Sequence, residues 1–416
     1  MSAIEVHGLQ SLKGEIKVQG SKNAILPIMA AAILHKGTTV IENVPRIQDV
    51  FCMLGILKSI GCECQFTGHR LTIDASEVSK TEIPKEFVKS MRSSIIVSGP
   101  LLSRLGEAIT SFPGGCSIGE RPIDLHFTAL RALGARVCEE GEEIRAAAGR
   151  LAGADIYFPF PSVGATENGV MAAVLADGVT VIHGAAREPE VGELCRFLNG
   201  CGACIKGIGT SRLAVTGVKE LHDSVFPVAG DRIVAGTYLC AVMAAGGEIS
   251  MTGIVPEHLE SVLFCAEQMG ADIRRYEEAI AVSMVGRPDG NCVITGPYPE
   301  FPTDLQSPMM AVMAAAASPS RLEETIFEGR FGTAKELQKL GADIIIEENR
   351  AIVHGLYPLK GGTATAKDLR GGAALVVAGL ASEEMTHIDG CSHIERGYED
   401  ICQDLGSLGA VIRGIE

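Results

Sequence analysis

One pattern returns six times along this chain and limits its architecture more than any other feature. A helix end, a glycine and a strand recur in "LKSIGCECQF", "LRALGARVCEE", "LNGCGACIKGI", "AEQMGADIRRY", "LQKLGADIIIEE" and "LGSLGAVIRGI". The glycines are Gly61, Gly134, Gly202, Gly270, Gly341 and Gly409, at steps of 73, 68, 68, 71 and 68 residues. Small-residue helices keep the same step, as in "AILPIMAAAIL", "SSIIVSGPLL", "ENGVMAAVLA", "VAGTYLCAVMAA", "PMMAVMAAAA" and "GGAALVVAGLA". A β-type run such as "TTVIENV" separates the two helices of a unit, and a pair such as "CECQF" and "RLTIDA" follows the glycine. The unit reads β-α-β-α-β-β. Each glycine suits the left-handed residue that closes a helix before a sharp exit into a strand, which explains it without any appeal to function.

The sixth repeat ends at "GAVIRGIE", one strand short. The N-terminal runs "AIEVHG" and "GEIKVQG" supply what is missing, as strands expected to close repeat six and open repeat one. Three repeats per domain predict one domain over 22–229 and a second made of 1–21 plus 230–416, with two linkers near 20–22 and 229–231. Two crossings imply a hinge, with a cleft between lobes.

The 416 residues suit about two or three domains. Apolar residues make up 46%, but no run reaches the roughly 18 positions of a membrane span. The N-terminus has no apolar signal core, so a cytoplasmic protein is expected. The 13 cysteines are scattered, mostly inside apolar runs, and read mainly as reduced core residues. A formal charge of -15 argues against a nucleic-acid surface, so an anionic partner would need arginines gathered locally. Cys201 and Cys204 form a CxxC at a helix end without a second pair at zinc spacing, and "GIGTSR" precedes no helix. Neither a metal nor a cofactor is expected.

The repeat frame sorts the polar residues. First-helix N-termini carry Lys22 and Asn23, Arg92, Ser162 to Asn168, Asp231 and Arg232, Asp304, and Asp368 with Arg370. Such termini offer unpaired N–H groups and partial positive charge to an anion. Second-helix N-termini carry "GGCSIGERPIDLH", "AAREPEVGEL", "EGRFGTAKEL" and "CSHIERGYEDI". Cys116 thus sits in a glycine-rich strand-to-helix loop with Arg121 nearby, and local chemistry leaves it as either a packing thiol or a reactive one. Lys22 opposes the helix dipole, a local conflict that leaves it as either a solvated first-turn residue or a functional one. Arg92, Arg121, Arg370 and Arg396 read as surface ion-pair partners or as anion ligands. Asp304 and Asp368 read as N-caps, and Glu188 and Glu190 as first-turn acids.

Together "GSKNAILPIMAAAIL", "SMRSS", "FPGGCSIGERPIDLH", "PSVGATEN", "AAREPEV", "FPTDLQ", "IFEGRF", "DLRGGAAL" and "HIERGYE" resemble the enolpyruvyl transferase family, in the branch that acts on a nucleotide sugar. The motifs appear in order over essentially the whole chain. The resemblance implies two inside-out α/β-barrel-like domains, each of three β-α-β-α-β-β repeats, with the active site in the interdomain cleft. It implies transfer of the enolpyruvyl group of phosphoenolpyruvate to the 3-hydroxyl of UDP-N-acetylglucosamine, with release of phosphate, for peptidoglycan precursor synthesis. Lys22, Asn23, Arg121, Arg370 and Arg396 match the phosphoenolpyruvate ligands. Arg92, Arg121, Pro122, Ile123, Asp124, Leu125, Ser162, Val163, Asp304 and Ile326 match the nucleotide-sugar ligands. Cys116 matches the proton donor to the methylene carbon and Asp304 the candidate base, with Lys22 and Arg396 also in the reaction; Asp368, Glu188 and Asp231 support them. The partners implied are these two small molecules alone, and a monomer or weak homo-oligomer is expected.

Two departures stand out. "RFGTAKEL" lacks a family His and the apolar residue after it, so the Gly332-Thr333-Ala334 turn is expected to be loose, and Phe160 stands where some members present a lysine. The alternatives are a transferase acting on shikimate-3-phosphate, disfavoured by the "GGCSIGERPIDLH" loop, and a non-catalytic regulatory relative, disfavoured by the intact Lys22, Cys116, Asp304, Asp368, Arg370 and Arg396.

Overall fold

A computed structural model describes residues 1–113, 119 and 122–415. They fall into two compact units, one made of residues 1–19 with those from 229 onward, the other of residues 20–113 with 122–228.

Each unit repeats one motif three times. In the first repeat the helix Lys22–Ala31 leads to the strand Thr38–Glu42, the helix Gln48–Ile60 and the hairpin Glu63–Thr67 with Arg70–Asp74. All six repeat glycines have positive φ, between 94° and 111°, where a side chain would strain the backbone. Five of the sheets have four strands, in which a parallel outer strand precedes an antiparallel three-stranded set. The sheet of repeat two has three, Glu107–Ser111, Glu143–Ala147 and Arg136–Glu140, with its fourth place taken by a single bridge from Glu82 to Ile109.

The N-terminal strands correct one expectation. Ala3–His7 does close repeat six, lying antiparallel between Thr386–Asp389 and Val411–Ile415. Leu12–Lys17, however, pairs in parallel with Gly247–Thr252 and so opens repeat four. Repeat one is opened by Ser224–Pro227, parallel to Thr38–Glu42. Each opening strand therefore stays with the unit that the chain is about to leave. Both strands precede a repeat, so spacing alone assigns each to the repeat that follows it.

The architecture is inside-out. Helices Arg232–Ala245, Gln306–Ala314 and Leu369–Leu380 pack on one another and are buried on nearly every face, whereas the strands alternate buried and accessible positions. A helix apolar all round is a core element, and the Ala- and Gly-rich composition lets such helices approach closely. In the other unit Lys22–Ala31 and Val163–Ala173 are buried in the same way. The expected single helix over "SSIIVSGPLL" is instead a 3-10 segment, Arg92–Val97, running into the helix Ser98–Leu105. Residues 332–334 are not a loose turn: Gly332 begins the helix Gly332–Lys339, and Thr333 and Ala334 are buried. Of the 12 described cysteines six are buried and three more, Cys52, Cys64 and Cys402, pack half-buried against the cores, so core packing accounts for most of them, while Cys292 is exposed.

Candidate active site

In the unit of residues 20–228, Ser21 caps the first helix, its Oγ accepting from the Ala24 N–H at 3.4 Å. Lys22 follows as the first helical residue and is buried. Its Nζ lies 2.7 Å from Asp49 Oδ2, where Asp49 stands in the first turn of Gln48–Ile60. The acid offsets the unfavourable dipole and the burial of the ammonium. Asn23 beside it is half-buried.

Arg92, Phe112, Pro113, Pro122, Ile123, Asp124, Phe127, Arg131 and Glu139 line a cleft of about 430 Å³. Four of the residues matched to the nucleotide sugar, Arg92, Pro122, Ile123 and Asp124, are thereby brought together. Leu125 packs half-buried against the core. The next residue, His126, is buried, and burial followed by the nearby Arg92 charge lowers its pKa to about 4. Asn168 Oδ1 takes the Gly99 N–H at 2.6 Å, so its amide nitrogen faces His126 Nδ1 at 3.1 Å and donates to it. The imidazole is neutral, with its proton on Nε2. A Cβ at Gly164 would come within 3.1 Å of the ring, so that glycine lets the helix Val163–Ala173 sit against it. Ser162 is the N-cap of that helix, accepting from the Ala165 N–H at 3.4 Å, and Val163 is its first residue. Deeper in the same helix Glu167 is buried, and desolvation, then Glu190 and Glu188, pushes its pKa well up. Glu188 precedes the helix Pro189–Gly200. Phe160 is exposed.

In the unit of residues 1–19 and 229 onward, Asp304 is not an N-cap. It lies in the 3-10 turn Thr303–Leu305, and its carboxylate is held between two guanidinium groups. Arg330 Nη2 donates to Oδ1, while Arg370 donates to Oδ2 from Nη2 at 3.0 Å and from Nε at 3.3 Å. Both arginine side chains are only 4% exposed, so neither is a surface ion-pair partner. Burial works against the Arg370 charge, but Asp304, Tyr398 and Asp231 outweigh it and strengthen the charged form. Its Nη1 is buried without an acceptor among the described residues. A buried guanidinium with a spare donor is suited to an anion. Asp368 is an N-cap, accepting from the Arg370 and Gly371 N–H groups at 3.0 and 2.8 Å. Asp231 caps Arg232–Ala245 likewise, at 2.8 and 3.1 Å. Arg396 ends the 3-10 segment Cys391–Arg396, half-buried. Ile326 donates its backbone N–H to Glu324.

Cys116 and Arg121 lie outside the described residues. Four groups escaped the sequence reading: Asp49, His126, Arg330 and Glu324. Asp49 and Arg330 carried a signal, being charged residues in the apolar-flanked stretches "RIQDV" and "EGRFG". The buried Glu324 showed none.

A family model described as EPSP synthase (3-phosphoshikimate 1-carboxyvinyltransferase) matches residues 6–405. UDP-N-acetylglucosamine 1-carboxyvinyltransferase 2 of Caldanaerobacter subterraneus subsp. tengcongensis is 45% identical over 413 residues, covering 99% of this chain and 99% of the relative. UDP-N-acetylglucosamine 1-carboxyvinyltransferase 1 of Symbiobacterium thermophilum is 46% identical over 407 residues, covering 96% and 92%. The crystal structure of the enolpyruvyl transferase NikO from Streptomyces tendae matches at a TM-score of 0.89 over 99% of this chain and 98% of its own, with 24% identity, a likeness of fold. Matched over its full length by relatives at such identity, the chain belongs to the EPSP synthase family of enolpyruvyl (1-carboxyvinyl) transferases.

Proposed function

We propose that this protein transfers the enolpyruvyl group of phosphoenolpyruvate to the 3-hydroxyl of UDP-N-acetylglucosamine, the first committed step of peptidoglycan precursor synthesis. The observation that carries the reading is Asp304 held between Arg330 and Arg370, a proton acceptor beside a guanidinium with a donor to spare. The names of the full-length relatives supply the acceptor sugar.

Cys116 gives its proton to the methylene carbon of phosphoenolpyruvate while the sugar oxygen bonds to the neighbouring carbon, and Asp304 takes the hydroxyl proton. In the tetrahedral adduct the new methyl group then returns a proton to the Cys116 thiolate, the carbon–oxygen bond to phosphate breaks as the alkene re-forms, and the departing phosphate takes the proton held by Asp304. Arg121, Arg370 and Arg396, with Lys22 and Asn23, hold the phosphate and carboxylate; bidentate guanidinium contacts fix such planar anions. Arg92, Arg121, Pro122, Ile123, Asp124, Leu125, Ser162, Val163, Asp304 and Ile326 hold the nucleotide sugar. Asp368, Asp231 and Glu188 orient the elements that carry these groups.

Among the described residues no helix is long and apolar enough to cross a membrane. We place the enzyme in the cytoplasm, as a monomer or weak homo-oligomer. Phosphate release from phosphoenolpyruvate tests the reading, with UDP-N-acetylglucosamine or shikimate-3-phosphate as acceptor. Release with the nucleotide sugar alone supports it, and release with shikimate-3-phosphate alone replaces it. Silence with both points to a non-catalytic relative. Cys116→Ala should abolish turnover, and Cys116→Asp, still an acid, should retain part of it.

A further inference from the structure

We propose that Glu324 is a positioning residue that ties the orientation of the Asp304 carboxylate to the backbone at Ile326 and Phe327. The inference rests on the transferase reading, in which Asp304 accepts a proton and Ile326 meets the sugar.

Glu324 is buried, at 3% exposure, and its two oxygens do different things. Oε1 accepts the backbone N–H groups of Ile326 at 2.8 Å and Phe327 at 3.1 Å. Oε2 accepts the Thr303 hydroxyl at 2.9 Å. Thr303 has a single hydroxyl proton, and it goes to Glu324. Its oxygen is then free to accept from Arg330 Nε–H at 3.3 Å. The other end of that guanidinium grips Asp304 Oδ1, and its face lies 5.4 Å from the Phe327 ring centroid. The direction of every bond in the run from Arg330 through Thr303 to Glu324 is thus set, and Asp304 cannot turn without disturbing it.

Burying a carboxylate is costly, and apolar packing of similar volume often stabilises a core as well or better. The Ile326 and Phe327 N–H groups need an acceptor, but a neutral one would serve, so capping alone does not call for an acid here. Coupling does, because one group then holds both the segment that meets the acceptor and the base that must face the acceptor's hydroxyl. Small errors in such placement are expensive in rate.

The test uses the full chain with UDP-N-acetylglucosamine and phosphoenolpyruvate. Wild-type turnover comes first, and its absence would count against the transferase reading itself. Thr303→Ala cuts the link to Arg330 but keeps the cap on Ile326 and Phe327. It should lower kcat by about tenfold with KM for the nucleotide sugar within about twofold. Thr303→Ser should restore most of the rate. Glu324→Gln keeps one acceptor oxygen for two duties, so kcat should fall and KM for the nucleotide sugar should rise, each by about tenfold, with KM for phosphoenolpyruvate within about twofold. Should Glu324→Gln fail to fold, the Thr303 pair decides. A wild-type kcat in Thr303→Ala, a rise in KM for the nucleotide sugar that matches the fall in kcat, or equal losses for Ala and Ser, would overturn the proposal.

Discussion

Lys22 Nζ and Asp49 Oδ2 lie 2.7 Å apart, with their side chains 11% and 5% exposed. The pair joins the starts of the two helices of repeat one. Removing one partner of a buried pair leaves an uncompensated charge, which costs about 3–5 kcal/mol. Asp49→Asn should therefore lower the urea midpoint and raise KM for phosphoenolpyruvate, since Lys22 loses its anchor. Unfolding curves and steady-state kinetics on the same preparation check both effects.

Asp304 offers a contrast between chemistry and folding. Asp304→Ala should reduce kcat by roughly 10²–10⁴-fold, the usual contribution of a positioned acid or base. It also leaves Arg330 and Arg370 buried around a missing anion, so a stability loss of a few kcal/mol is expected. Asp304→Asn keeps a carbonyl for one arginine and should lose rate with a smaller cost in stability, as read by denaturant unfolding.

His126 makes stability depend on pH. Its folded pKa of about 4 lies below the ordinary 6.5, so between those values the unfolded chain binds more protons than the folded one. Its contribution is complete above pH 6.5 and is lost as pH falls through 4. The full shift corresponds to about 3 kcal/mol. His126→Gln should flatten the fall in unfolding free energy between pH 7 and pH 4 relative to wild type. An unchanged slope would refute the assignment.

Gly134 isolates the backbone requirement of the repeat. Its φ is +95°, and an added Cβ would meet nothing within 4 Å, so a substitution there brings no clash with a neighbouring side chain. Gly134→Ala should cost about 1–2 kcal/mol, and Gly134→Asn less, because Asn visits the left-handed region more readily. Thermal unfolding of the two variants measures the difference.

These examples mark what was legible in the sequence. The repeat glycines were, because a helix that turns sharply into a strand leaves one residue with positive φ. Asp368 was, since capping is local. Asp304 was misread as a cap because its carboxylate is claimed by arginines 26 and 66 residues away. The exchange of opening strands was hidden for a similar reason: Leu12–Lys17 and Ser224–Pro227 both precede a first helix, and only their pairing tells them apart. Asp49 and Glu324 depend on tertiary packing for the partner that gives them meaning.

The most direct test of the account is mass spectrometry of the nucleotide sugar after incubation with the protein and phosphoenolpyruvate, with phosphate measured in the same sample. The account predicts that UDP-N-acetylglucosamine gains one enolpyruvyl group for each phosphate released. An unmodified nucleotide sugar, with shikimate-3-phosphate carrying the enolpyruvyl group in a parallel sample, would contradict it.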